Sequence, residues 1–193
     1  YVYIDNWSPV LAVAHADVHP RIERSISFQV EGSSQASSIV RSTYLDDRLG
    51  VYAILERLPE LGVTVDVLIT SGEETGHSTA GLFAEKCLKN YNWVVEFDRK
   101  GEDVVLYEYS NNRMERLLED SGFTIGTGTS SDISHMDSLG IACFNVGIGF
   151  FEEHHYSCWA DLRILDRQLK RSSNFYRHNK DLLFLDESNN SIS

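Results

Sequence analysis

Along this chain, short apolar runs alternate with polar stretches, and two periods take turns. Val10–Val18 is mostly apolar, the pattern of a buried strand, and Ile26–Val30 alternates apolar and polar positions as a half-buried strand does. Over Asp46–Leu58 the residues Val51, Ile54, Leu55 and Leu58 recur at helical spacing. Val63–Thr70 is β-branched and predicts a strand, and Ser78–Asn90 predicts a helix. Trp93–Phe97 and Val104–Tyr109 read as strands, Met114, Leu117 and Leu118 as a short helix ended by Gly122, and Ile141–Ile148 as another buried strand. Leu162, Leu165, Leu169 and Tyr176 share one face of a long closing helix.

Strands alternating with helices predict an α/β fold, a three-layer α/β/α sandwich around a mixed, largely parallel sheet. Such sheets place ligands beyond the carboxyl ends of their strands, so chemistry is expected there. The chain shows no internal repeat and no long linker. Ser33–Ser38 reads as a mobile loop and 186–193 as a disordered polar tail, which leaves 1–185 as one domain.

Composition narrows the function. With 193 residues, 42% of them hydrophobic, one domain can enclose a sizeable core. Seventeen Lys and Arg against 29 Asp and Glu give a net charge of −12, which repels phosphate backbones and anionic lipid, so neither nucleic acid nor membrane is an expected partner. No apolar run approaches the roughly 20 residues of a membrane span, and no signal peptide is legible. Three cysteines without a CxxC pair suggest reduced thiols and a cytoplasmic setting.

At the predicted strand ends stand residues with metal chemistry. The first buried run ends in His15-Ala16-Asp17, where Asp17 is placed to orient the His15 ring. Asp46 and Asp47 open a helix, where acids also serve as caps. Glu73 and Glu74 lie between Gly72 and Gly76 just past an apolar strand; in a metal site one such carboxylate ligates and the other takes a proton from water. Asp98 follows Trp93–Phe97, and His154-His155 follows Ile141–Ile148. Each string alone has an ordinary structural reading. Together, His15, Asp46, Glu74, Asp98 and His154 supply two imidazoles and three carboxylates, a donor set suited to zinc, with manganese or cobalt as substitutes. With one carboxylate bridging, such a set holds two ions about 3.5–4 Å apart.

The ordered strings His15-Ala16-Asp17, Asp46-Asp47-Arg48-Leu49-Gly50, Glu73-Glu74-Thr75-Gly76, Asp98 and Gly149-Phe150-Phe151-Glu152-Glu153-His154 resemble the di-zinc exopeptidases, a superfamily that includes leucyl aminopeptidases, glutamate carboxypeptidases and tetrahedral aminopeptidases. The resemblance implies a zinc-peptidase-like fold and two Zn2+ ions. His15 and Asp98 would hold one ion and Glu74 and His154 the other, with Asp46 bridging, Asp17 orienting His15 and Glu73 as general base acting on a bridging water. Counting from the Phe150-Phe151 pair of the family pattern selects His154 as the last ligand, although His155 then stands where Thr or Ser is usual, which keeps His155 as the alternative. Cys158, where relatives often carry an acid, is either an inert thiol or an accessory ligand. Asp98 to His154 is already filled by strands and a helix, and His15 to Asp46 is short. The chain therefore looks closest to the single-domain aminopeptidase-like branch, with no lid domain.

The expected activity is a zinc-dependent metallo-exopeptidase, an aminopeptidase acting on a peptide or small amide substrate. The alternatives are an N-acyl amino acid deacylase or carboxypeptidase on the same scaffold, or a non-catalytic binding module. Arg99 and Lys100 read as an exposed turn and Thr129–Ser134 as lining of the site, while His19, His77 and His135 read as polar loop residues. The oligomeric state is left open by the sequence.

Overall fold

The computed structural model describes residues 1–20, the backbone of 28–31, and 38–188. The expected loop at Ser33–Ser38 and the tail at 186–193 fall mostly outside the described residues, as does the start of the Ile26–Val30 run.

Among the described residues, ten strands and five α-helical segments follow one another: β1 (Val2–Ile4), β2 (Val10–His15), β3 (Phe28–Glu31), β4 (Ile39–Ser42), α1 (Leu45–Tyr52), α2 (Leu58–Glu60), β5 (Asp66–Thr70), α3 (Ala80–Lys86), β6 (Trp93–Arg99), β7 (Val104–Val105), α4 (Asn112–Asp120), β8 (Cys143–Gly147), β9 (Phe150–Phe151), β10 (Trp159–Asp161) and α5 (Leu162–Asn179). A six-stranded sheet runs β1-β5-β2-β6-β8-β7. Its four inner strands are parallel, and the short edges β1 and β7 run antiparallel. Every residue of β2 is buried, as a central parallel strand covered on both faces must be. The buried apolar side chains form one cluster that takes in strands and helices alike.

Several elements differ from the sequence expectation. Val104–Tyr109 holds a ladder only at Val104 and Val105, and the chain then turns, with Tyr107 at a positive φ. The helix expected to Asn90 stops at Lys86, where Cys87 is already extended. The expected helix Asp46–Leu58 is non-helical at Asp46 and Asp47 and then changes pitch, passing from α1 through a π-helical turn at Ala53–Arg57 into α2. β6 runs on to Arg99, past the expected end at Phe97.

A second sheet, β3-β4-β10-β9, is wholly antiparallel, and of its strands only β3 overlaps one expected from the sequence, the Ile26–Val30 run. It matters for function because β4 leads into α1 and β9 leads into the loop of His154. Both pair with β10, Ala160 standing opposite Val40 on one side and Phe150 on the other. Among the described residues no lid domain interrupts the chain between Asp98 and His154.

Candidate metal centre

The carboxyl ends of the parallel strands deliver the candidate side chains to one edge of the main sheet. His15 closes β2 and Asp98 is the penultimate residue of β6. Glu73 and Glu74 stand on a single 3-10 turn after β5, bounded by Gly72 and Gly76 at φ 83° and 70°. A side chain at Gly72 would meet both an unfavourable backbone conformation and the carbonyl of His77, which is why glycine is needed there. Asp46 begins α1 in a non-helical conformation (φ −90°, ψ 104°), and the peptide joining it to Asp47 is cis.

His15 is fully buried, and its Nε2 lies 3.1 Å from Asp46 Oδ1, 3.4 Å from Asp98 Oδ1 and 3.9 Å from Glu73 Oε2. Its Nδ1 faces Asp17, 3.2 Å from the backbone carbonyl oxygen and 3.5 Å from Oδ1. The other oxygen of Asp17 accepts the Glu74 N–H at 3.2 Å, tying the end of β2 to the glutamate turn. His154 Nε2 lies 2.9 Å from Glu74 Oε2 and 3.2 Å from Asp46 Oδ2. The structure thus brings His15, Asp46, Glu73, Glu74, Asp98 and His154 together, with each Asp46 oxygen facing a different imidazole. His155 is exposed and joins none of the metal-capable groups among the described residues.

Concentrated negative charge governs the protonation of this cluster. Burial disfavours the His15 imidazolium, yet Asp98 and the hydrogen bonds to Asp17, Asp46 and Asp98 raise its pKa far above that of free histidine. Hydrogen bonds to Asp46 and Glu74 lift His154 to about 10. Burial raises the Glu73 carboxyl to about 7, helped by Asp132, Glu74 and Asp46 and opposed by His15. Asp98 is pushed up by burial and by the Asp46 charge. Glu74 Oε1 is buried with no hydrogen-bond partner among the described residues. A buried carboxylate oxygen left this way is costly, and a cation satisfies it. Oxygen and imidazole donors in this arrangement therefore fit divalent ions of the zinc, manganese or cobalt type.

Other acids support the cluster. Asp47 is turned into the backbone, accepting the N–H of His15 at 3.2 Å and of Gly50 at 3.0 Å. Behind the site, Glu96 accepts from the Ser131 hydroxyl, and Asp132 from the hydroxyls of Thr70 and Ser78. Neither Glu96 nor Asp132 was a candidate on sequence grounds, although a lone acid within the buried strand Trp93–Phe97 is a readable signal. Asn145, on β8, clamps the Asp98 backbone, accepting its N–H at 3.0 Å and donating to its carbonyl at 3.3 Å. The Cys158 thiol is raised to about 12 by burial and the Asp46 charge, so it stays protonated beneath the site.

A cavity of about 370 Å³ opens beside Asp46, Glu73, Asp98 and His154, with Thr129, Ser130 and Ser131 on its wall as the sequence suggested. Arg99 also lines it. This corrects the exposed-turn reading of that residue: its guanidinium is mostly buried and forms two 2.8 Å bonds with Asp103, because β6 continues through it. Lys100 does lie exposed, paired with Glu153.

Residues 17–137 match the profile of the M42 glutamyl aminopeptidase family, a segment that contains Asp17, Asp46, Glu73, Glu74 and Asp98 but neither His15 nor His154. A search of the curated proteins finds no match. Among solved structures, the chain is similar to the aminopeptidase PepT of Bacillus cereus (TM-score 0.64, 12% identity, 89% of this chain and 81% of that one). It is similar to a tripeptidase of Staphylococcus aureus (TM-score 0.62, 10% identity, 90% and 81% covered). A third similar structure is the Pyrococcus horikoshii TET1 peptidase, which can assemble into a tetrahedron or a large octahedral shell (TM-score 0.57, 19% identity, 77% and 52% covered). These likenesses bear on the fold.

Proposed function

The chain belongs to the M42 glutamyl aminopeptidase family, within the di-zinc exopeptidases, and on that premise we propose that residues 1–185 form a catalytic unit that removes N-terminal residues from peptides with two divalent cations, zinc by preference. The observation that carries the reading is the division of Asp46: Oδ1 meets His15 and Oδ2 meets His154, and each imidazole has a further acid beside it.

In this reading His15 and Asp98 would hold one ion and Glu74 and His154 the other, with Asp46 placed to contribute to each. Divalent cations in these places supply Lewis acidity that activates water and polarises the scissile carbonyl. Glu73 accepts the proton of the attacking water and returns it to the leaving amine. Asp17 fixes the orientation of the His15 ring through Nδ1. The adjoining cavity takes the side chain of the residue to be released, with Arg99 held rigid at its wall by Asp103. Three free thiols support a cytoplasmic setting, and no helix among the described residues is long and apolar enough to cross a membrane.

The test pairs metal analysis with a panel of aminoacyl nitroanilides and their N-acetylated counterparts. Two ions per chain and chelator-sensitive cleavage of the free-amine substrates alone are expected. Cleavage confined to the N-acetylated substrates would make the protein a deacylase, and absence of turnover in fully loaded protein would leave a binding module.

A further inference from the structure

His19 stands four positions beyond His15, on the segment that leaves β2 and passes Asp17. A ring nitrogen of His19, a carboxylate oxygen of Glu74 and a ring nitrogen of His154 all lie within 4.8 Å of one another. The His19 ring stacks on His154, centroids 4.4 Å apart and planes inclined by 23°. His19 is half-buried, whereas the His154 side chain is 42% exposed, so His19 covers the open flank of the centre. Within the same group, Glu74 Oε1 is buried and has no hydrogen-bond partner among the described residues.

We propose that His19 is an additional ligand of the cation held by Glu74 and His154, so that this ion is bound by two imidazoles and two carboxylates and keeps a fifth position for water. The inference rests on the two-ion reading above. Zinc ligands about 2.0–2.1 Å from the ion stand about 3 Å from one another, so the observed group, spread over up to 4.8 Å, closes on the ion when the His19 ring moves inward and turns out of its stack on His154. Asp17 makes that movement local, because its hydrogen bond to the Glu74 backbone already docks this segment against the glutamate turn. The two sites then differ in chemistry. The His15 site offers one imidazole with Asp46 and Asp98, and the His154 site offers two with Asp46 and Glu74. Extra imidazole favours zinc or cobalt over manganese, so the His154 site is the more selective of the pair.

The full-length apoprotein is titrated with Zn2+ against a chromophoric chelator, as wild type, His19→Gln and His19→Phe. Phenylalanine keeps the stacked ring and removes the ligand nitrogen. Both variants are expected to lose about tenfold or more in affinity at one site, with the other unchanged. Zinc-edge absorption of the doubly loaded proteins should report three imidazoles shared between two ions in wild type and two in the variants. His19→Phe binding both ions as tightly as wild type would overturn the assignment and leave His19 a stacking partner alone. Equal weakening of both sites would overturn it too, since a ligand of one ion acts on one. Wild type that takes up no second zinc would overturn the two-ion reading itself, an outcome distinct from failure at His19 alone.

Discussion

Asp46 and His154, from distant parts of the sequence, meet at 3.2 Å through Asp46 Oδ2, while Asp46 Oδ1 is left to His15. A carboxylate used at both oxygens in this way links two binding events. Asp46→Ala should therefore lower metal content at both sites together and reduce kcat/KM by more than about 10³-fold, whereas His154→Ala should empty one site preferentially. Metal analysis after dialysis separates the two patterns.

Glu73 approaches His15 at 3.9 Å, and with His15 and Glu74 it also forms a group that could hold a cation, so its role as proton carrier is to be tested against one as ligand. Glu73→Gln should retain wild-type metal content while kcat falls by about 10²–10⁴-fold. Loss of metal in step with activity would make Glu73 a ligand instead.

Removal of the cations has a stability cost. Asp46, Glu73, Glu74 and Asp98 crowd around His15 and His154, so chelation restores repulsion among the acids. An ion present at about a hundred times its Kd stabilises by about 2.7 kcal/mol. For a chain of this size that corresponds to a Tm lower by about 5–10 °C in excess chelator, measurable by calorimetry.

Gly50 lies where α1 crosses β6, and a Cβ there would overlap the Phe97 carbonyl oxygen and the Asp47 carboxylate. Gly50→Ala should cost about 3 kcal/mol, read from the urea midpoint, and should displace Asp46 with the helix start. Activity should fall further than the stability loss alone accounts for.

At the opposite edge of the sheet, Asp66 is completely buried and accepts bonds from Lys89 Nζ at 2.6 Å, Tyr91 at 2.8 Å, Tyr3 at 2.9 Å and two backbone N–H groups. Burial raises its pKa, but Lys89 and the other donors outweigh that and hold it below the usual carboxylate range. Its stabilisation is therefore complete above the unfolded-state value near about 4 and is lost as pH falls below it. Asp66→Asn should be less stable than wild type by about 3 kcal/mol at neutral pH, and the difference should narrow steadily below about pH 4. Urea unfolding across that range checks the sign.

Periodicity determined the layered α/β architecture, because each parallel strand and covering helix writes its own apolar pattern locally. The strings around His15, Asp46, Glu73-Glu74 and Asp98 were legible for a related reason: at the carboxyl end of a buried strand a polar residue stands out against apolar neighbours. Only the tertiary structure shows which of the adjacent His154 and His155 reaches the cluster: the left-handed backbone at His154 (φ 61°) accompanies the turn that carries its imidazole to Asp46 and Glu74. It also supplied the small antiparallel sheet that joins the approaches to Asp46 and His154 through β10, since strands of two to four residues carry too few positions to declare a period. The stack of His19 on His154 came the same way. Contacts between distant segments depend on register and packing, and neither is encoded in any single stretch of the chain.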